Sequence, residues 1–203
     1  MKKGLSETTR STLYYVLVFT TIAWGFKLVP SAWLERFTAR AMSSLFRVLG
    51  LSSGFGVEGG LAYLTLVSGV RYVYVTIIRE CTAMHVWGIL AALVLPLEKG
   101  SWGRKAASLV FGGILVFLMN VSRIFLTVYL TAHDLPPFTW YFTNPTVETY
   151  HYPISFLYGV IGVAILIVTI SRWFLPELAE TLIGIPEGLR SLFIQDEGNQ
   201  SFT

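Results

Sequence analysis

The stretch that decides the fold runs from Lys105 to Thr131 and reads KAASLVFGGILVFLMNVSRIFLTVYLT. After its first residue it contains one charged side chain, Arg123. A helix needs about 20 mostly apolar residues to cross roughly 30 Å of hydrocarbon, because each residue advances it by about 1.5 Å. This stretch is long and apolar enough, so it predicts a membrane-spanning helix.

The composition of the whole chain agrees with a membrane location. Hydrophobic residues make up 54% and charged residues 13%, against about 25% charged in an average globular protein. The mean hydropathy of +0.62 excludes an ordinary soluble domain. The net charge is +3, and the basic residues are scattered along the chain rather than concentrated on one face, so no nucleic-acid partner is expected.

Three further apolar segments join Lys105–Thr131 as predicted spans. They run from about Leu13 to Val29, from about Cys81 to Leu97 and from about Tyr150 to Phe174. No signal-peptide cleavage pattern follows the first of them, so we interpret it as a retained helix. The sequence thus predicts an all-α integral membrane helical bundle with about four transmembrane helices.

Two other segments have helical patterns but do not span. Ala32 to Leu49 has apolar residues at three- and four-residue intervals, which favours an amphipathic interfacial helix on the membrane surface. Its apolar stripe consists of Trp33, Leu34, Phe37, Ala41, Leu45, Val48 and Leu49. Glu177 to Phe193 is a second, weaker example, and the tail after Gln195 is expected to be disordered.

A small extracytoplasmic β-hairpin is predicted between the first and second spans. Gly50 to Gly60 is rich in glycine and serine and suits a flexible connection. Leu61–Val67 and Val70–Ile78 are rich in β-branched and aromatic residues, and Ser68-Gly69 separates them, as in a hairpin. Strand edges that face lipid would leave backbone groups unpaired, so the hairpin must lie outside the hydrocarbon.

The short loops set the expected orientation. Lys99, Arg104 and Lys105 crowd the loop after the second predicted span, whereas Ala132 to Thr149 contains neither lysine nor arginine. Because positively charged loops stay in the cytoplasm, both termini are predicted to be cytoplasmic. The hairpin, Cys81 and the loop from Ala132 to Thr149 are then extracytoplasmic.

Cys81 is the single cysteine and lies where the second predicted span begins. A helix N-terminus stabilises a thiolate, which lowers the pKa of a cysteine toward neutrality. The alternative is a small buried apolar side chain. One cysteine cannot form an internal disulfide and is too few for a zinc knuckle or an iron–sulfur cluster, so no metal and no cofactor is expected.

Two other residues have the chemistry to assist a thiol. Arg123 lies inside the third predicted span, where a guanidinium costs roughly 2.5–3.5 kcal/mol and therefore indicates function, and Asn120 shares its helix face. His151 opens the fourth span, because Pro153 suits the first turn of a helix. The alternatives are a structural arginine bonded to carbonyls of the hairpin and an interfacial histidine beside two tyrosines.

A thiol, a guanidinium and an imidazole from three helices are the components of cysteine acyl transfer. Cys81 would attack a carbonyl, His151 would move protons, and Arg123 would stabilise the oxyanion or the thiolate. Two alternatives stay open. His85, four residues after Cys81, could be the base instead of His151. A metal could also bind to Cys81, His85, His133 and Asp134.

These residues also form an ordered set of motifs. Cys81-Thr82-Ala83 heads one predicted helix, Asn120-x-x-Arg123 lies late in the next, and His151 starts the following one. This set, with the strand Val70–Val75 before it, resembles the exosortase and archaeosortase family over about residues 60–172. Ala83 stands where many members carry glycine.

The resemblance implies a membrane-embedded cysteine protease and transpeptidase. Members cut secreted proteins near a C-terminal sorting signal, which consists of a short motif, a transmembrane helix and a basic cluster, and pass the new C-terminus to an acceptor. Membrane-anchored protein substrates and a membrane lipid as acceptor are therefore the implied partners. Cys81 is the implied nucleophile, with Arg123 and His151 as the second and third catalytic residues.

The complete hypothesis has Asn120 and His85 as supporting residues. It assigns residues 1–175 to one membrane-embedded catalytic domain, with the hairpin at about 61–78, and residues 176–203 to a cytoplasmic tail. The expected location is the cell membrane, with the active site on the extracytoplasmic side. A thiol protease that releases its product to water and a non-catalytic membrane scaffold are the alternative functions.

Overall fold

The structure is a computed structural model that describes residues 7–67 and 69–200. Helices dominate it, and one small β-sheet lies between the second and third helices along the chain. The helices are α1 (Glu7–Gly25), α2 (Ala32–Val48), α3 (Met84–Val94), α4 (Trp102–His133), α5 (Val147–Trp173) and α6 (Pro176–Gln200). The strands are β1 (Ser53–Glu58), β2 (Leu61–Leu66) and β3 (Val73–Ile77), and short 3₁₀ turns occupy Phe26–Leu28, Arg79–Thr82 and Phe138–Trp140.

Two helices of the described chain are long and apolar enough to cross a membrane. α4 with the 3₁₀ turn that follows it covers Trp102–Trp140, and α5 covers Val147–Trp173. Counting α1 and α2 together as one broken span raises the number to three. The mostly helical membrane fold is therefore confirmed, whereas the count of four transmembrane helices is not.

The shortfall lies in α3 and, unless α1 and α2 are counted as one broken span, also in α1. The second span was predicted from Cys81 to Leu97, but α3 has 11 residues, which cover about 16 Å of the roughly 30 Å that a span needs. The helix begins late because Ala83, just before it, takes a left-handed φ of 57°. It ends early because Pro96 disfavours a helical conformation in the residue that precedes it.

The β-sheet has three antiparallel strands in the order β1-β2-β3. The predicted hairpin is present as β2 and β3, and its connecting residue Ser68 lies outside the described residues. The expectation that Gly50–Gly60 is a flexible connection is wrong, because β1 pairs with β2 along its whole length. Glycine is required there by packing: a Cβ at Gly56 would overlap the Tyr63 hydroxyl across the strand pair.

A hydrophobic core joins α2, the sheet and the second half of α4. Its fully buried residues include Met42 and Phe46 of α2, Leu64 of β2 and Val128 of α4. The Phe46 ring stacks on Phe125 at a centroid distance of 5.1 Å. This core fixes the sheet, and with it the chain leading to Cys81, against α4.

The predicted apolar stripe of α2 is not the face that packs on the sheet. Trp33, Phe37 and Val48 of that stripe are exposed, with exposed fractions of 60%, 52% and 83%. The buried face carries Thr38, Ala39, Met42, Ser43 and Phe46 instead. α2 is thus apolar on two sides, one for the core and one left uncovered, and its place on the membrane surface stays a prediction.

The described chain forms two compact units. The second unit consists of Val29–Val86 and Gly113–Leu166, and so contains α2, the sheet, Cys81, Arg123 and His151. The rest of the chain, with α1 and α6, forms the first unit. α6 continues to Gln200, so the expected disorder after Gln195 is not found up to that residue, and residues 201–203 lie outside the described part.

Candidate active site

Cys81 lies in the 3₁₀ turn Arg79–Thr82, which we call the Cys81 turn. β3 delivers the chain to this turn, and α3 begins only after Ala83. The turn is closed locally, because the Thr82 hydroxyl donates to the Arg79 carbonyl at 2.7 Å. Cys81 therefore precedes α3 rather than opening it, which corrects the predicted position at a helix N-terminus.

The environment of the Cys81 thiol is mainly apolar. Burial raises the pKa of the thiol above its ordinary value, and the nearby Glu80 carboxylate acts in the same direction. A backbone hydrogen bond with Ile78 and the positive charge of Arg123 oppose this rise. The lowering of the pKa that a helix terminus would give is therefore not found, and a reaction at this thiol would need a base to take its proton.

Two side chains of α4 bind the carbonyls of the Cys81 turn. Asn120 is buried, and its Nδ2 donates to the Cys81 carbonyl oxygen at 2.6 Å. Arg123, one helical turn further on, donates from a terminal guanidinium nitrogen to the Glu80 carbonyl oxygen at 3.4 Å. Its Nε atom is buried and has no hydrogen-bond partner within the described chain. Arg123 thus donates to the turn, while its buried Nε–H is left without a partner in the described chain.

His151 lies one turn inside α5, because that helix begins at Val147. Its ring is 3.4 Å from the Ser155 hydroxyl oxygen and packs edge-on against Tyr152. Arg123 is close enough to act electrostatically on His151 as well as on Cys81. Among the residues that the structure describes, no hydrogen bond joins His151 to Cys81, so Arg123 is the group that the two share.

A cavity of about 150 Å³ lies within the second unit beside Asn120 and Arg123, while Cys81 and His151 are not among its lining residues. Its polar lining includes His85, Asn120, Arg123 and Ser155. The remaining lining residues are Ala83, Val86, Val116, Met119, Tyr158, Gly159, Gly162, Val163 and Leu166. Sequence reasoning did not identify Ser155, which follows His151 by one turn.

The alternatives to His151 differ in their support. His85 lines the cavity and lies within electrostatic reach of Arg123, so it stays open as the base. The metal alternative is not supported, because Asp134 accepts from Arg71 Nε at 2.6 Å and the His133 ring lies against the Tyr129 carbonyl. No group of three histidine, cysteine, aspartate or glutamate residues could hold a metal within residues 7–67 and 69–200.

Residues 3–144 match the family described as transmembrane exosortases. The matched region contains Cys81, Asn120 and Arg123 and ends before His151. No curated protein and no solved structure matches the chain.

Proposed function

Because the chain belongs to the transmembrane exosortase family, a family of peptidases and transpeptidases, we propose that it is a membrane cysteine transpeptidase. It cleaves the C-terminal sorting signals of membrane-anchored proteins through a Cys81 thioester and transfers the new C-terminus to an acceptor. The observation that supports this most is the position of Arg123, which bonds the Cys81 turn and acts electrostatically on both Cys81 and His151.

In the first half of the reaction, His151 takes the proton of the Cys81 thiol. The sulfur then bonds to the scissile carbonyl carbon, and the C–N bond breaks while His151 returns the proton to the leaving amine. A thioester remains on Cys81. Because burial raises the pKa of this thiol, the proton transfer to His151 is needed at neutral pH.

In the second half, an acceptor with an amine or hydroxyl group attacks the thioester. Its proton passes to His151, the C–S bond breaks, and the Cys81 thiol is restored with the proton from His151. A membrane lipid is the acceptor we propose. Water in the same position would give a free carboxylate, which is the hydrolytic alternative.

Arg123 is proposed to stabilise the negative charge that forms on the carbonyl oxygen. A donor aimed at an oxyanion in a site with little water contributes several kcal/mol, since removal of one such donor typically costs about 10²–10³ in rate. The unpartnered Nε of Arg123 supports this role, because a buried donor without a partner is costly to keep. Asn120 holds the carbonyl of Cys81 and so positions the nucleophile.

The proposed location is the cell membrane, with the Cys81 turn on the extracytoplasmic side. The distribution of lysine and arginine over the loops supports this orientation, because Ala132–Thr149 contains neither. A substrate held by its own transmembrane helix would diffuse in the plane of the same membrane.

The test is co-expression of the full chain with a membrane-anchored precursor from the same source. Cys81→Ser should abolish cleavage, and His151→Ala should slow it by about 10² or more. His85→Ala, the matched histidine control, should change it much less. Continued cleavage by Cys81→Ser would overturn the enzyme hypothesis and leave a scaffold, while a larger effect of His85→Ala would move the role of base to His85.

Mass spectrometry of the product distinguishes transfer to an acceptor from hydrolysis. A C-terminal adduct with the mass of a lipid headgroup and chains supports transfer. A free carboxylate as the sole product would show that the enzyme is a hydrolytic thiol protease.

A further inference from the structure

We infer that the cavity beside the Cys81 turn is the subsite for one apolar side chain of the substrate, an assignment that rests on the proposed function. The side chain belongs to the residue that supplies the scissile carbonyl, and Gly159 of α5 sets the size that the subsite accepts.

The cavity lies next to the Cys81 turn. Ala83 and His85, which line the cavity, follow Cys81 by two and four residues. Asn120 and Arg123 line it too, and both bind carbonyls of the Cys81 turn. Cys81 itself is not among the lining residues, and we expect an acyl group on its sulfur to extend into the cavity from the adjoining turn. The residue that supplies the carbonyl stays bonded to Cys81 through both halves of the reaction, so its side chain is the one to be held.

The volume of the cavity limits the group that it can hold. The volume of about 150 Å³ is below the roughly 300–1,000 Å³ of pockets that take a whole small molecule. An apolar cavity of about 150 Å³ in another protein is large enough to bind benzene. The cavity therefore fits a group of about six carbons, such as a leucine or phenylalanine side chain. A full lipid chain or a transmembrane helix is too large.

The side chains that line the cavity determine which kind of group it favours. Beyond the polar groups near the Cys81 turn, α4 contributes Val116 and Met119, and α5 contributes Val163 and Leu166. Burying an apolar side chain against these four residues is favourable, whereas a basic side chain would lose its hydration beside the positive charge of Arg123. The subsite thus favours an apolar group over a basic one.

The two glycines of α5 at the cavity differ in their surroundings. A Cβ at Gly162 would lie 2.8 Å from the end of Met119, so Gly162 allows α4 and α5 to pack closely. A Cβ at Gly159 would meet no atom within 4 Å. A Cβ can therefore be added at Gly159 without displacing a neighbour, and because Gly159 lines the cavity we expect a longer side chain there to reduce the cavity volume.

The experiment uses the full chain in membranes with Gly159→Ala and Gly159→Leu. The substrates are precursors whose cleavage site has been located by mass spectrometry and whose residue at the scissile carbonyl is alanine, leucine or phenylalanine. The wild type should prefer leucine and phenylalanine. Gly159→Leu should lower kcat/KM for these two by about tenfold or more, since a pocket discriminates side chains by size, and should lower it much less for the alanine substrate.

Two readouts separate a filled subsite from general damage. Alkylation of Cys81 by iodoacetamide, a small reagent that does not need the subsite, should proceed at the wild-type rate in Gly159→Leu. Gly103→Leu is the matched control, because Gly103 also lies in a helix with no atom within 4 Å of its Cβ position and does not line the cavity. It should leave all three substrates unaffected.

The remaining outcomes overturn the assignment. An equal loss for all three substrates, or no loss for any, would show that the cavity does not read this side chain. Unchanged cleavage with a shift from adduct to free carboxylate would show that the cavity holds the acceptor instead. If the wild-type enzyme cleaves no precursor, the proposed function itself fails and the subsite fails with it.

Discussion

Arg123 is one of the groups that act on the ionisation of the Cys81 thiol. Its positive charge lowers the pKa of a thiol that burial otherwise raises. Arg123→Gln removes the charge and keeps a polar side chain, so the thiol pKa should rise further and the thiolate fraction at neutral pH should fall. Arg123→Lys keeps the charge and should stay closer to the wild type.

The measurement is the pH dependence of alkylation by iodoacetamide, which reports on Cys81 alone because the chain has no other cysteine. The rate rises with pH as the thiol ionises, and in Arg123→Gln its midpoint should move to higher pH. A midpoint that stays in place or moves down would contradict an electrostatic role for Arg123.

Ala83 tests the backbone of the Cys81 turn. A side chain at its left-handed φ of 57° is strained, and a β-branched residue is strained most. Ala83→Gly should therefore be tolerated, whereas Ala83→Val should destabilise the protein by about 1–3 kcal/mol. The melting temperatures of the purified variants in detergent provide the comparison. Equal melting temperatures for the two variants would argue that the turn has another conformation.

Cys81 and Arg123 stand out in the sequence because charged and reactive side chains are conspicuous in an apolar chain. Their catalytic roles stay predictions. The environment of Cys81 could not be predicted, since it depends on where α3 begins, and the left-handed Ala83 delays that start by three residues. The cavity could not be predicted either, because an empty space leaves no signal in sequence.

At the scale of elements, the packing of α2, the sheet and α4 should carry much of the stability. Phe46 is fully buried and stacks on Phe125, so Phe46→Ala should cost about 3–5 kcal/mol. Phe156→Ala is the matched control, because Phe156 is 75% exposed. Unfolding in detergent by heat or denaturant measures both. A loss in the control as large as that of Phe46→Ala would show that this core is not what holds the unit together.

Strand β1 shows why elements are harder to predict than residues. Gly54 and Gly56 look like a flexible segment when taken by themselves. Their partners Thr65 and Tyr63 lie opposite them on β2 and need the space that a Cβ would fill. The strand is thus specified by residues further along the chain, which local pattern does not report.

At the scale of the whole molecule, the orientation in the membrane can be tested with introduced cysteines. In a Cys81→Ala background, Thr143→Cys lies between α4 and α5, and Ser101→Cys lies between α3 and α4. Both positions are exposed. An impermeant maleimide should label Thr143→Cys in intact cells and Ser101→Cys only after permeabilisation, because the loop with Lys99 and Arg104 should be cytoplasmic. The reverse pattern would invert the proposed topology.

Membrane embedding and family were predictable from sequence, whereas the number of spans was not. Hydropathy reports how apolar a segment is, and α3 is apolar whether it crosses the bilayer or is enclosed by other helices. Its 11 residues favour the second interpretation. The interpretation of α3 therefore depends on its length, which Ala83 and Pro96 limit at its two ends.

The presence of a single sulfhydryl has a consequence for how this protein would respond to oxidants. If a peroxide converts Cys81 to its sulfenic acid, the chain has no second thiol that could react with this product to form an internal disulfide. Recovery would then require a reductant from outside the molecule, and further oxidation to the sulfinic acid would be permanent.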